Sequence, residues 1–393
     1  MITEFMGYRR PDGRVGIRNH IAIISAMDNV NPVARRIAAR VEGAVAVCAA
    51  YGRGMVAQDA ERHDRVLIHY GLHPNVAAVL VVGLESVTAR RYAEAVAQSG
   101  KLVQWVAVQS LGGTARTVER GVEIAQAMAR EAAGLVRVPA PISALMVGLE
   151  CGASDATSGL TANTVVGRVA DWIVAEGGTA ILSETEEIIG AEHLLAERAA
   201  SPEVAAQLLR AVADTEAQAR FQGVQIVPLG HDNLAGGLST MEEKSMGAVR
   251  KGGTSPLREV IGYGERPRER GLVFMDAPAP GVENIAALAA SGAQLILFST
   301  GVGNPIGHPL VPTLKLTGNP ATALSFADNI DVDVGGIVRG DYGLDEAADQ
   351  LRTALLAAAE GRLTRAEVLG DLEISISRVD VAFLRRQALG EAH

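Results

Sequence analysis

A chain of 393 residues that is 48% hydrophobic and only 4% aromatic can bury a large core, and it reads as two or three domains of layered α/β structure, not an all-β sandwich. Its net charge of −9, with no basic cluster interleaved with aromatics, argues against nucleic acid as the main partner. No apolar run reaches the roughly 18 residues that span a bilayer, the N-terminus has no signal-peptide core, and Cys48 and Cys151 make no disulfide framework, so a cytoplasmic protein with reduced thiols and no membrane partner is expected.

In chain order, the polar entry MGYRRPDGRVGIRNH (6–20) leads into alternating apolar runs and amphipathic segments. Strands are predicted at 21–26, 44–48, 76–84 and 102–108, with helices near 32–41, 58–69, 89–99 and 114–133. Four βα units in succession read as a parallel sheet covered on both faces. The stretch VRVPAPI (136–142) has two prolines and no periodicity, and it sets a boundary. The expected organisation is two Rossmann-like parallel-sheet α/β domains, 1–137 and 138–393. The second half repeats the alternation: strand 144–149, helix 162–176, strand 179–182 and a helical region over 191–221. Strands at 272–276 and 294–300 and a helix near 344–359 follow. VVGLE (81–85) and MVGLE (146–150) echo one another at strand ends, a hint of two related halves.

The densest chemistry lies between 145 and 199. One apolar strand runs into Glu150, Cys151 and a Gly/Ser/Thr loop, and the next ends in Glu184, Glu186 and Glu187. Adjacent strands of an open α/β sheet that end in ionisable groups make a site at the sheet's carboxyl edge. Cys151, before a helix N-terminus, could be a reactive thiolate or a small buried Cys. Ser154 and Asp155 suit substrate binding or simple turn capping. Glu184 and Glu187 could hold a divalent metal or act as acid and base; strand-end carboxylates are also ordinary solubilising residues.

Arg9, Arg10, Asp12, Arg14, Arg18, Asn19 and His20 form a basic and polar cluster before a strand whose far end carries Asp28 and Asn29. Arginine there could bind a carboxylate bidentately, or the segment could be a solvated arm. Gly-rich blocks at 230–237 and 299–308 could cradle anions. Neither matches a dinucleotide or phosphate-loop pattern. His63, His69 and His73 are expected at the surface. The lack of CxxC, HExxH and GxSxG disfavours a structural zinc site, a zincin and an ordinary α/β-hydrolase.

Five blocks in this order resemble the altronate/galactarate dehydratase family: GYRRPDGRVGIRNH (7–20), CGASDATSGLTAN (151–163), GGTAILSETEEIIGAEHLL (177–195), NLAGGLSTMEEKSMGAVRKGG (233–253) and GLVFMDAP (271–278). The resemblance covers nearly the whole chain. It implies a lyase that removes water from a sugar acid to leave a 2-keto-3-deoxy acid, with a divalent metal, Fe²⁺ ahead of Mn²⁺ or Mg²⁺. It further implies His20, Glu184 and Lys244 as catalytic residues, and Arg18, Asn19, Ser154, Asp155 and Asn233 as contacts to a small anionic substrate. Asp28, Cys151 and Glu187 are the implied metal ligands.

Two departures stand out. Many relatives carry Cys where this chain has Asp28-Asn29, and often Pro where it has Glu186. The C-terminal block GNPIGHPLVPTLKLTGNPAT (303–322) and IDVDVGGI (330–337) are closer to the large subunit of (2R)-sulfolactate sulfo-lyase, a related enzyme that expels sulfite. In that case further cations such as Arg18 or Lys315 should surround the sulfonate. The family's small β-rich N-terminal domain does not precede the first block, so a separate small SAF-like subunit is expected, together with a homo-oligomer. A non-catalytic subunit that binds sugar acids is the alternative from another functional class.

Overall fold

The computed structural model describes residues 3–55, 57–223 and 229–378. Two parallel sheets carry the architecture, as the alternation of strands and helices requires. The first has four strands in the order Ala44–Val47, His20–Ser25, Val76–Gly83, Leu102–Ala107. Each sequence-predicted strand of this half is present to within a residue or two. Its helices are Asn31–Ala38, Ala57–Gly71, Ser86–Ala97 and Thr114–Ala132.

The second sheet has seven parallel strands in the order Leu257–Ile261, Gly271–Met275, Thr179–Leu182, Met146–Cys151, Leu295–Ser299, Thr313–Thr317, Val332–Asp333. The chain builds outward in one direction from Met146–Cys151, then returns to its other side with Leu295–Ser299. That reversal is a topological switch point, and the crevice outside the strand ends there is where open α/β sheets bind ligands. Helix Ala162–Ala175 covers one face through Val165, Val166, Val169 and Ile173; helix Gly281–Ser291 covers the other through Ile285 and Leu288.

The expected boundary segment is partly a strand. Val138–Pro141 pairs antiparallel with Glu4–Arg9, which also pairs with Val15–Gly16. Proline is tolerated because Val138–Pro141 is an edge strand of a small sheet. The helical region expected over 191–221 is two helices, Glu192–Ala196 and Pro202–Gln222, broken where the Ser201 side chain caps the second and Pro202 occupies its first turn.

The surface placement expected for the three histidines is wrong. Helix Ala57–Gly71 packs on helix Gly281–Ser291, and one apolar cluster runs through both sheets' helices. His73 is fully buried and bonds the Ala293 carbonyl, His69 reaches those of Gly264 and Ala290, and His63 is buried on the same helix. Neighbouring Tyr70 donates to the Ala286 carbonyl. His63 and His73 are thus buried and His69 is half-buried, and His69 and His73 tie the two sheets together.

Candidate active site

Strands Met146–Cys151 and Thr179–Leu182 are hydrogen-bonded neighbours, so their polar ends meet. After Leu182 the chain turns through Glu184 into a short 3₁₀ segment, Thr185–Ile188. Side chains three apart eclipse in such a turn, which brings Glu184 and Glu187 to one side. Glu184 has φ 74° and ψ 69°, a left-handed conformation that costs a non-glycine residue about 1–2 kcal/mol. Backbone strain of this kind clusters at functional sites.

The cluster is closed from the opposite side by helix Met241–Ala248 and the turn Val249–Gly252. Lys244 and Lys251 stand seven apart in this block, two helical turns, and so share a face. Gly167 lets the block approach: a Cβ there would lie 2.1 Å from the Arg250 carbonyl oxygen.

Lys251, fully buried, donates to Cys151 Sγ at 2.8 Å and pairs with Glu184 Oε2. The Cys151 thiol donates to Glu187 Oε2 at 2.9 Å, and its backbone N–H reaches Glu184 Oε2 at 3.3 Å. Lys244 pairs with Glu187 Oε1 at 2.8 Å and donates to Asn233 Oδ1 at 3.3 Å. Asn233 in turn donates to the Ser154 carbonyl at 2.9 Å. Behind these, Glu150 is fully buried and accepts from Asn284.

Glu184, Glu187 and the thiol thus share two ammonium groups away from water, with Glu150 buried behind them. Burial above all raises Glu184, with the charge of Glu187 adding to it; Lys251 opposes, and the carboxyl ends at about 8. Burial and then the charge of Glu184 push Glu150 well above the usual carboxylate range. Burial, then Glu184 and Glu187, likewise raises the Cys151 thiol. Burial works against both ammoniums, but the surrounding acids more than offset it and hold Lys244 and Lys251 above their ordinary values. One oxygen of Glu184 and one of Glu150 are buried with no hydrogen-bond partner among the described residues. Such orphans are rare in native interiors and point to a ligand or ion. Sγ of Cys151 and carboxylate oxygens of Glu184 and Glu187 lie within 4.8 Å of one another, a donor set that fits a divalent cation.

Of the sequence-predicted residues, Cys151, Glu184, Glu187, Lys244 and Asn233 come together here. Ser154 and Asp155 border the cluster, but Asp155 is spent on its own loop, accepting from Thr157, Ser158 and Asn319. Glu186 turns away to accept from the Ala279 N–H. Arg18, Asn19 and His20 are not brought to the cluster: they lie at the amino end of strand His20–Ser25. Arg18 pairs with Glu367 at 2.8 Å and bonds three backbone carbonyls. Asn19 joins Arg10 to the Ala132 carbonyl. Asp28 is exposed on a turn beyond the four-stranded sheet. Lys315, fully buried, is held by the Ile306 carbonyl. Lys251, which the sequence reading did not single out, and Glu150, named there only as a strand end, also belong to this buried cluster.

Comparison with known proteins matches the sequence to one family. A model described as "D-galactarate/Altronate dehydratase, C-terminal" matches residues 142–382, and one for "D-galactarate dehydratase/Altronate hydrolase, second domain" matches 7–133. The chain belongs to the D-galactarate/altronate dehydratase family. It is 37% identical to the (2R)-sulfolactate sulfo-lyase subunit beta of Chromohalobacter salexigens over 388 residues, 95% of this chain and 97% of that one. Against the altronate dehydratase of Bacillus subtilis it is 32% identical, covering 96% of this chain and 78% of the relative. Against the galactarate dehydratase (L-threo-forming) of Escherichia coli it is 31% identical, covering 91% and 73%. Membership places the chain among enzymes of the lyase class. Among the described residues no helix is long and apolar enough to cross a membrane.

Proposed function

We propose that this chain is the catalytic subunit of a cytoplasmic lyase that eliminates water from a small hydroxy acid, taking the proton beside the carboxylate and leaving a 2-keto acid. One observation carries the reading. Glu184 is a fully buried carboxyl on a strained turn beside a cationic partner, and burial raises it to about 8, within reach of a proton near neutral pH. Hydroxide is a poor leaving group, and a positioned acid of near-neutral pKa is what its departure needs. Lys244 stays charged beside Glu187, which suits it to a substrate carboxylate and to the negative charge that grows on it. Glu187, bracketed by Lys244 and the Cys151 thiol, is the acceptor best placed for the α-proton.

Cys151 and Glu187 would hold the divalent ion, Fe²⁺ ahead of Mn²⁺ or Mg²⁺, with Glu184 beside them as the acid. Bound there, it would supply Lewis acidity that offsets the second negative charge of the deprotonated acid. Loading is expected to release the proton of the Cys151 thiol, because ligands must be deprotonated.

Release of sulfite is the second reading, favoured by 37% identity along 97% of the sulfo-lyase subunit. That relative's designation as subunit beta also motivates a separate small subunit. Sulfite leaves as a stable anion and needs no acid, so the two readings make different demands on Glu184. The test is anaerobic turnover on a panel of sugar acids and sulfolactate, with and without Fe²⁺, scoring 2-keto acid and sulfite separately. Keto acid without sulfite supports dehydration, and stoichiometric sulfite supports the second reading. Binding without product from any acid would sink both.

A further inference from the structure

A cavity of about 240 Å³ beside Lys244 belongs to the reacting cluster. Another, of about 340 Å³, lies at the opposite edge of the seven-stranded sheet. Its floor is the amino end of three strands: Met146 and Thr179 open theirs, and Gln294 immediately precedes Leu295–Ser299. The length of strand Met146–Cys151 puts roughly 17 Å between this floor and the thiol. The walls come from both halves of the chain, Arg14 and Pro74 from the first and the segment 266–270 from the second. Gln294 ties the halves together at the floor, donating to the Val15 and Ala144 carbonyls.

The charge in this cavity is one-sided. Arg14, Arg266, Arg268 and Arg270 line it, against the carboxylate of Glu269, which is exposed. Arg266 carries the decisive feature: its Nε and Nη2 are buried and have no hydrogen-bond partner among the described residues. No other described arginine leaves two buried donors unmatched. The neighbouring acids are committed elsewhere. Asp12 pairs with Arg14 at 2.6 Å and Glu265 with Arg65 at 2.8 Å, while Glu259 accepts from the backbone N–H groups of Arg268 and Glu269. Burial, and then the charge of Arg14, accordingly draw the Arg266 guanidinium down to about 10. An unmatched buried cation is destabilising, and Nε with one Nη is the edge through which a guanidinium grips two oxygens of one anion. The side chain as a whole is half-buried and lines the cavity, so rotation about its terminal torsions brings that edge to a ligand.

We propose that this cavity binds a small organic oxyanion, a phosphate monoester or a polycarboxylate, gripped by Arg266 and flanked by Arg14 and Arg268. The volume suits a small metabolite. At the far edge of the sheet from Cys151, such a ligand bridges the two halves of the chain as an effector and is not the substrate. The inference stands apart from the lyase reading, because it uses residues at the other edge of the sheet.

The test is calorimetric titration of the full chain, purified with any partner that accompanies it, at fixed ionic strength with inorganic phosphate, glycerol 3-phosphate and citrate. At least one should bind saturably, and Arg266→Gln should weaken it at least about 10-fold, the worth of a paired charge-assisted contact. Arg266→Lys keeps the charge but loses the fork, and should recover only part of the affinity. Arg36→Gln, at an exposed arginine of helix Asn31–Ala38, should leave binding unchanged. Tighter binding of the phosphate ester than of citrate assigns the ligand to phosphorylated metabolites, and the reverse order assigns it to polycarboxylates. Thermal denaturation separates binding from folding. Without anion, Arg266→Gln should melt at or above the wild-type temperature, since it removes an unmatched buried charge, and the anion should raise Tm of the wild type but not of the variant. Three results would overturn the proposal: no saturable binding of any of the anions, an affinity that Arg266→Gln leaves intact, or an equal loss in Arg36→Gln, which would mean that diffuse surface charge suffices. An anion-free Arg266→Gln chain that melts well below wild type would also overturn it, because the guanidinium would then be serving the fold.

Discussion

The polar residues at the amino end of strand His20–Ser25 and those at the carboxyl end of strand Met146–Cys151 are both buried and both rich in charge, yet they differ in how their bonds are spent. Around Arg10 and Arg18 the donors are matched to specific acceptors: Pro74, Arg18, Ile17, Ala358 and Arg362 carbonyls, Asn19 and the Glu367 carboxylate. Around Cys151 two carboxyl oxygens are left over, Ala153 and Glu184 have positive φ, and burial raises the Glu184 carboxyl to about 8. A satisfied network holds the fold; an unsatisfied, strained one is poised to act on something else. A cavity of about 420 Å³ near Arg10 and Lys101 repeats the contrast. It is larger than the one beside Lys244, but Lys101 is bonded to the Gly71 and His73 carbonyls.

The sharpest way to break this comparison is Lys251→Met. Removing one partner of a buried ion pair typically costs about 3–5 kcal/mol, because the remaining charge has no substitute. Stability should fall by that order and turnover should drop below detection, as followed by thermal denaturation and keto-acid release. Lys251→Arg, tested alongside, should recover more stability than activity. A Lys251→Met variant with near-normal turnover would remove the ammonium from the chemistry.

Glu184→Gln comes next, with kcat lower by about 100-fold or more if it is the general acid and the fold retained. Its pH behaviour has a definite sign. The acid form is the active one, so wild-type turnover should decline as pH rises through about 8, and the variant's residual rate should lack that limb. Stability carries the same signature. A carboxyl whose folded pKa is raised leaves the unfolded chain with fewer protons between its ordinary value of 4.5 and about 8, so stability falls across that window as pH rises. Denaturant titrations of the variant should be flatter there. If dehydration is wrong and sulfite leaves, the alkaline stability loss stays but the turnover limb disappears.

Much of this was legible in the sequence. Period-two and period-3.6 patterning gave the four-stranded sheet almost to the residue, and the apolar runs ending in Cys151 and Glu184 marked the two strands that meet. The rest turned on burial, which residue type predicts badly for charged groups. Lys251, in the turn AVRKGG, reads as a solvated basic corner, and its seven-residue spacing from Lys244 was the available signal. Strands Leu257–Ile261 and Thr313–Thr317 were missed because LREVI and TLKLT put charges inside strands. Lys315 is accommodated there by the Ile306 carbonyl. The arginine-rich entry segment promised substrate binding by composition alone, but composition does not say that backbone carbonyls take up the donors first.

Cys151→Ser tests a smaller effect. A hydroxyl can replace the thiol as donor to Glu187 but is a weaker ligand for a soft divalent ion. Turnover should fall at least about 10-fold with little change in stability, and bound iron, measured directly after anaerobic reconstitution, should fall with it. Loss of activity at full iron content would assign the sulfur to hydrogen bonding alone.

The smallest effects on catalysis belong to the other end of the comparison. Arg18→Met severs the Glu367 pair and leaves three backbone carbonyls short of a donor, so stability should fall by about 2–3 kcal/mol while kcat of the remaining folded enzyme stays within about two-fold. His20→Gln should do less still. Burial and then the charge of Arg18 draw this imidazole down to about 4, so it is neutral near physiological pH and replacing it with an amide removes no charge. Folded His20 therefore binds fewer protons than the unfolded chain between about 4 and 6.5, and stability rises with pH across that window. The substitution should flatten that rise without moving the alkaline limb of turnover. A large loss of kcat in His20→Gln, with that limb shifted, would mean that the satisfied network is also part of the reacting site and that bond satisfaction does not separate the two regions.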